Sequence, residues 1–549
     1  MDKIKKYSKH PVVIALAFLL IAVVTFVIFY NDKTIYHGDD LKYHLGRAEH
    51  WYNMLQSGSF YSYGNFSTSP YVGVIVDVFY PFITYIPLAF IRYFLVSPVL
   101  SWYVYWTIIS WITLLICYYA GCQIWKRKGV AILFSLFYFF AEYHLFNLFI
   151  RAAVGETLAM TFMPLVILGI YKLIQQEKGA WIPLSLGMTF IAYSHILSTM
   201  IVIPFLFILC ALNYRKILNK EVLLQLVKAV GLFFLLTAAV IFPMVEQFAH
   251  FGVLSVIYEP ELVESSSSLV KVVIASFRNT IIHFSLGTMV MVVMAISPFF
   301  IRKCSLFIKQ LIVMVWILLL FMTLMDFSLL QDTVFAQIQF IWRFNIIISL
   351  FATFIFAEIV GIILDQFKSR KVILQAIAGV GILIVGTISI VRMHNYFIED
   401  PYLPPVYTDE NWDDMLANLQ MIDYFPSDAN YRLIEISAMN VLNSPGIHSS
   451  SYRAENNEII FTVESDKSGY VDTFVVYYLG LVVRSDGEEV DYRVGYRGTV
   501  QLFPTKENQT FTISHELTTI QRSGWIITGT TWLGIIIYGT HEKMKKYKR

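Results

Sequence analysis

Charged side chains are scarce in this chain. Asp, Glu, Lys and Arg make up only 15% of its 549 residues, whereas 57% are hydrophobic. A soluble domain of this size does not need so much apolar sequence, so the balance excludes an ordinary globular enzyme and indicates a polytopic membrane protein. Only four cysteines occur (Cys117, Cys122, Cys210 and Cys304), all in or beside apolar runs. That placement excludes a disulfide framework and a cysteine-based metal knuckle. A formal net charge of +2 gives no electrostatic footprint for nucleic acid. The signatures of nucleotide binding and common hydrolytic chemistry are missing: there is no Walker loop, GxGxxG, His-Glu-x-x-His or Gly-x-Ser-x-Gly. No repeated pair of broken helices marks a two-fold transporter.

What is abundant is apolar sequence of spanning length. Such runs lie at 11–30, 101–124, 130–147, 155–174, 181–194, 196–213, 227–245, 281–301, 311–325, 344–364, 372–390 and 524–538. The first is too long for a signal-peptide h-region and lacks a clear small-residue cleavage site, so it reads as a retained span. Lys and Arg cluster at 3–9, 126–128, 172–178, 215–220, 302–303, 368–371 and 543–549, in alternate loops. Positive loops face the cytoplasm. The count is then about twelve spans with both termini inside, provided that 81–95 is a juxtamembrane or half-inserted segment. Residues 181–213 are too many for one helix and split at Ser194-His195, which puts His195 at an outer apex.

Residues 398–522 differ in character. Pro401, Pro404 and Pro405 open the segment, and alternating runs follow at 458–463, 471–483, 492–501 and 510–514, punctuated by Asp-Gly and Ser-Gly turns. This is the pattern of antiparallel β-structure. The expected architecture is therefore an all-α polytopic membrane bundle over 1–397, with a first outer loop at 31–80. An extracytoplasmic β-rich domain follows at 398–522, and then a C-terminal transmembrane helix with a basic cytoplasmic tail at 523–549.

Unusual polar residues converge on the outer side of this topology. After the first span come His37-Gly38-Asp39-Asp40. Leu41, Leu45, Ala48, Tyr52 and Leu55 then recur at helical spacing. They predict an amphipathic helix on the bilayer surface, with Asp40, Tyr43, His44 and Arg47 sharing its other face. Arg151 and Glu156, Ser194-His195, Glu246-Gln247, and Gln339 with Trp342-Arg343 all fall at outer ends of spans. Ionisable groups near lipid are costly unless they face a cavity or a partner, so a one-sided set predicts a polar chamber open outward. Plainer roles exist for each: a helix cap at Asp39-Asp40, an ion-pair staple for Arg151 and Glu156, a hydrogen-bonded apex for His195, a snorkelling end at Glu246, and an interfacial anchor at Trp342-Arg343.

Gly38-Asp39-Asp40 with Tyr43, His44 and Arg47, then Arg151-x-x-x-Gly155-Glu156, Ser194-His195, Pro243-x-x-Glu246-Gln247 and Gln339-Phe340-x-Trp342-Arg343 resemble the bacterial YfhO-like membrane proteins. They also resemble the membrane proteins called "6-pyruvoyl-tetrahydropterin synthase related", a label with no sign of pterin chemistry here. Both groups are similar to the GT-C superfamily of glycosyltransferases. The resemblance implies sugar transfer outside the membrane, from a polyprenyl-phosphate sugar donor to an envelope glycan, teichoic acid or lipid acceptor. Asp40, or Asp39 beside it, takes the place of the essential acid in the first outer loop. Arg151 and Arg343 are the expected phosphate partners. Glu156 and Glu246 would orient them or bind sugar hydroxyls, His195 would donate to phosphate or relay a proton, and His44, Arg47, Gln339 and Trp342 complete the expected binding set. Asp40 and His44 lie one helical turn apart and admit a divalent cation, but two ligands do not make a site, so no cofactor is expected. The competing functions are a transporter or flippase of lipid-linked glycans, whose polar residues would reach both faces, and a non-enzymatic envelope scaffold.

Overall fold

The computed structural model of the chain describes residues 11–58, 62–68, 70–252, 254, 261–399, 406–417 and 423–547. The N-terminal lysine cluster and Pro401, Pro404 and Pro405 lie outside the described residues. Of the described residues 65% are helical, with a small β-sheet region near the C-terminus. Its contacts divide it into two compact units. One comprises 1–41, 97–231 and 260–409; the other comprises 42–96, 232–259 and 410–549.

The first unit is built from long apolar helices. Pro11–Tyr30 is apolar all round: Ile14, Phe18, Ala22, Phe26 and Phe29 are buried, while Val12, Leu16, Leu20 and Val27 are exposed. An apolar helix with a bare apolar face belongs in lipid. Close helix packing is achieved with glycine, as is common in membrane bundles. A Cβ on Gly169 of Val154–Ile174 would lie 2.6 Å from the Leu184 backbone nitrogen of Trp181–Ala192, and one on Gly187 would lie 2.9 Å from the Val166 nitrogen.

Seven helices of the described residues are long and apolar enough to cross a membrane, or eight if the bent pair Lys128–Phe139 and Glu142–Ile150 is one span. The chain is therefore a multi-pass membrane protein. The twelve apolar runs do not all become helices of that length. The break at Ser194-His195 leaves Trp181–Ala192 with 12 residues and Ile196–Leu212 with 17. Helical rise makes these about 18 Å and 26 Å long, against an apolar bilayer core of about 30 Å. The run at 281–301 gives only Thr288–Phe300, because Asn279 and Gly287 turn the chain through positive φ first. Residues 524–538 sit in the longer helix Thr519–Tyr547, diluted by Gly524, Gly529, Gly534 and several threonines. The segment 81–95 yields a ten-residue helix, Ile86–Leu95.

The second unit holds two antiparallel sheets. One orders its strands Leu442–Asn443, Val471–Val476, Thr499–Leu502 and Arg493–Val494. The other runs Ile447–Glu455, Glu458–Ser465, Asn508–His515, Leu481–Ser485 and Glu488–Glu489. Alternation sets the faces, as expected of period-two sequence: Ile459, Phe461 and Val463 are fully buried, as are Phe511 and Ile513 on the paired strand. The hairpin turn is Asn456-Asn457, with φ of 51° and 59°, the doubly left-handed geometry that asparagine tolerates. The sheets do not form a body of their own. Their core is continuous with Trp51, Met54, Phe66, Val74 and Phe82, residues from the segment that follows the first apolar helix.

The helix predicted after the first span exists, at Leu41–Ser57. Its apolar residues Leu41, Leu45 and Met54 are buried in protein. Its polar side is enclosed too: His44, Arg47, Glu49 and His50 are all buried.

Candidate functional site

A charged cluster forms within the first unit. The bent helix pair ends in a π-helical turn, Phe146–Ile150, which delivers Asn147 and then Arg151 to one place. Ala152 follows with φ of 51°, and Val154–Ile174 starts with Glu156 in its first turn. The two charges meet inside this turn: Arg151 Nη1 is 3.0 Å from Glu156 Oε2, and both side chains are almost fully buried. Burying an ion pair is tolerable only if the remaining lone pairs and protons are satisfied. Here Tyr143 Oη donates to Glu156 Oε1 at 2.6 Å, Asn147 Nδ2 donates to the same oxygen at 2.9 Å, and Arg151 Nη1 donates to Asn147 Oδ1 at 2.8 Å. Arg343 Nε lies 3.7 Å from Glu156 Oε2, so one carboxylate faces two guanidiniums. Arg343 Nη1 is also held by Gln339 Oε1 at 2.7 Å and the Ile338 carbonyl at 2.8 Å. The Trp342 ring covers Arg151, with 4.4 Å from Cζ to the ring centroid.

Two carboxylates edge this buried core. Asp40 Oδ2 is 3.2 Å from Arg151 Nη2, with 41% of the Asp40 side chain exposed. Its backbone N–H donates to the Arg151 carbonyl at 2.9 Å. Gly38 makes that approach feasible, since a Cβ there would lie 2.7 Å from Ala152 Cβ. Desolvation raises the Asp40 carboxyl above its ordinary value, against the pull of Arg151 and Arg343. Asp39 points to a different partner: its Oδ2 is 2.9 Å from His283 Nε2, both side chains being partly exposed. The His283 ring packs against Trp342, 4.8 Å between centroids.

Asp39, Asp40, Arg151, Glu156, Gln339, Trp342 and Arg343 are therefore one constellation. His195 is within electrostatic reach of Glu156, but its imidazole also caps Ile196–Leu212, accepting from the Ser198 backbone N–H at 3.3 Å. The remaining predicted residues belong to the second unit and are engaged there. Arg47 Nη2 is 2.6 Å from Asp77 Oδ1 and also donates to the Tyr80 and Pro81 carbonyls, with 2% of its side chain exposed. His44 is buried between Tyr80 and Tyr85. Both Glu246 carboxylate oxygens share the Thr518 hydroxyl proton, and Oε2 also accepts from Gln521 Nε2, at the start of Thr519–Tyr547. Asp40 does not share a helix face with His44 and Arg47, because the helix begins at Leu41 and Asp77 holds the arginine.

Sequence reasoning missed Tyr143, Asn147 and His283. Asn147 had a readable signal, four residues before Arg151 on a helical run. His283 had none, because only the fold brings it to Asp39. Among the described residues no group of three or more His, Cys, Asp or Glu side chains is arranged to hold a metal ion. Compared with known proteins, the chain matches no family model and no curated protein.

Proposed function

We propose that this protein is a membrane glycosyltransferase of the GT-C type, moving a sugar from a polyprenyl-phosphate donor to an envelope glycan, teichoic acid or lipid acceptor. In this reading the site faces away from the cytoplasm of a bacterial cell membrane, both termini are cytoplasmic, and the short helices complete the crossings as broken spans. The motif order that resembles the YfhO-like proteins belongs to the same proposal.

The observation that carries it is a water-accessible acid against a buried guanidinium: Asp40 is 41% exposed and Arg151 2%, at 3.2 Å. The two charges suit the two halves of glycosyl transfer. The acceptor hydroxyl gives its proton to Asp40 as its oxygen bonds to the anomeric carbon. The bond from that carbon to the phosphate oxygen breaks, and polyprenyl phosphate leaves with the electron pair. Arg151 stabilises the leaving phosphate once the phosphate has displaced Asp40 from Nη2, which also releases Asp40 to act as base. Arg343 adds positive charge behind it. Asp39 and His283 stand ready beside Asp40 as a carboxylate–imidazole pair.

The test compares envelope glycans from cells lacking the gene after complementation with wild type or with an Asp39→Asn, Asp40→Asn double variant. A glycan change restored by wild type and not by the inserted, folded double variant supports the reading. Full restoration by the double variant rejects it.

A further inference from the structure

The second unit contains a polar groove that plays no part in the chemistry above. It has two chambers, of about 450 Å³ and 360 Å³, each in the size range of small-ligand sites. The Asn456-Asn457 hairpin turn lines both and forms the partition between them. That partition is locked in place: Asn457 Oδ1 accepts from the Phe66 N–H at 2.8 Å, and its Nδ2 donates to the Gly64 carbonyl at 2.9 Å. A rigid wall lowers the ordering cost of binding.

The charges in the first chamber cancel. Arg484 donates to Glu516, Arg522 lies 3.6 Å from the same carboxylate, and Glu458 completes two acids against two bases. No net field favours an ion. What the walls offer is hydrogen-bonding capacity. His515, 5% exposed, presents Nε2 to the Leu479 carbonyl at 3.0 Å. That bond requires the proton on Nε2, which makes Nδ1 an acceptor. Nδ1 has no partner and is itself buried. The second chamber is lined by amides and hydroxyls, Asn53, Gln56, Ser57 and Ser67, beside the half-buried Tyr71 ring and the Glu455 carboxylate, whose charge is met by Arg453 at 3.4 Å. Balanced donors and acceptors with an aromatic edge are the complement of a sugar, whose hydroxyls both donate and accept and whose C–H faces pack on rings.

We propose that this groove binds a neutral oligosaccharide, with successive sugar units in the two chambers. The site does not depend on the transfer chemistry proposed above.

The experiment uses the full chain in lipid nanodiscs. The probes are gluco-, manno- and galacto-configured oligomers of about two to six units, and binding is read by saturation-transfer NMR and calorimetry. One configuration should bind saturably, with the affinity of the longer oligomers at least about tenfold above that of the disaccharide, as linked subsites require. Ser57→Trp, which fills the second chamber from the end of its helix, should abolish that gain while disaccharide binding persists. Glu458→Ala should weaken all oligomers about tenfold. Melting curves confirm that both variants fold. The proposal is overturned if no oligomer binds saturably, if folded Ser57→Trp and Glu458→Ala bind as wild type, or if only a polyanionic glycan binds with steep salt dependence. Because the assay reads binding alone, its outcome is the same whether or not the protein transfers sugar.

Discussion

Arg151 and Glu156 are joined by a 3.0 Å ion pair whose side chains are 2% and 3% exposed, five residues apart across a helix break. The pair is the foundation on which Asp40 rests. Removing one member of a buried pair strands the other charge, at a cost of about 3–5 kcal/mol. Glu156→Gln leaves both Arg151 and Arg343 without their shared anion. It should therefore lower the melting temperature of the detergent-purified protein by many degrees. Asp40→Asn breaks a half-exposed contact worth about 0–1 kcal/mol. That variant should melt close to wild type while losing glycan modification.

Gly38 sets how closely Asp39 and Asp40 approach Arg151. A Cβ there meets Ala152 Cβ at 2.7 Å and the Arg151 carbonyl oxygen at 3.0 Å, both on the main structural turn of the site. Gly38→Ala should push the acid pair away from the guanidinium. Glycan modification should fall at least tenfold while the melting temperature changes little, because the buried Arg151–Glu156 pair is untouched.

Arg47 belongs to architecture in the second unit. Its Nε and Nη2 both reach Asp77 Oδ1, at 2.9 Å and 2.6 Å, while Trp51 donates to Asp77 Oδ2 at 2.6 Å. Arg47→Met should cost about 3–5 kcal/mol by leaving Asp77 buried and unpaired. Arg47→Lys should recover only part of this, since an ammonium cannot reproduce the planar fork. Thermal melting of the three proteins checks the order.

His50 and His515, both in the second unit, make its stability depend on pH. Desolvation lowers each imidazole from 6.5 to about 4. At His50, Asp77 opposes the shift and Arg47 adds to it; at His515, the Leu479 carbonyl and Glu516 oppose it. The unfolded chain therefore takes up protons that the folded one refuses. Stability from these groups is fully present above pH 6.5 and is lost as the pH falls from there to about 4, by about 3 kcal/mol each at most. Melting temperature should be flat from pH 8 to 7 and fall between 6.5 and 4. His50→Gln and His515→Gln together should flatten that decline.

Much of the site was legible because a few of its signals are local. Arg151, Glu156, Arg343, Gln339 and the two aspartates are costly or unusual at the ends of apolar runs, and they do come together. Burial cost alone could nominate them. It could not assign partners. Arg47 looked equally unusual, but Asp77, 30 residues away, takes its charge, and Glu246 looked like Glu156 until Thr518 and Gln521 were seen to hold it. His283 carries no mark in its neighbourhood and reaches Asp39 only through the fold.

The apolar pattern by itself determined that this is a multi-pass membrane protein with a sheet region before its last helix, because hydropathy and alternation act over a few consecutive residues. Tertiary structure decided how far each helix runs, that the segment after the first apolar helix shares a core with the sheets, and which carboxylate each arginine meets. Those outcomes depend on contacts between residues far apart in the chain, and the desolvation energy that drives them has no counterpart in any short stretch of sequence.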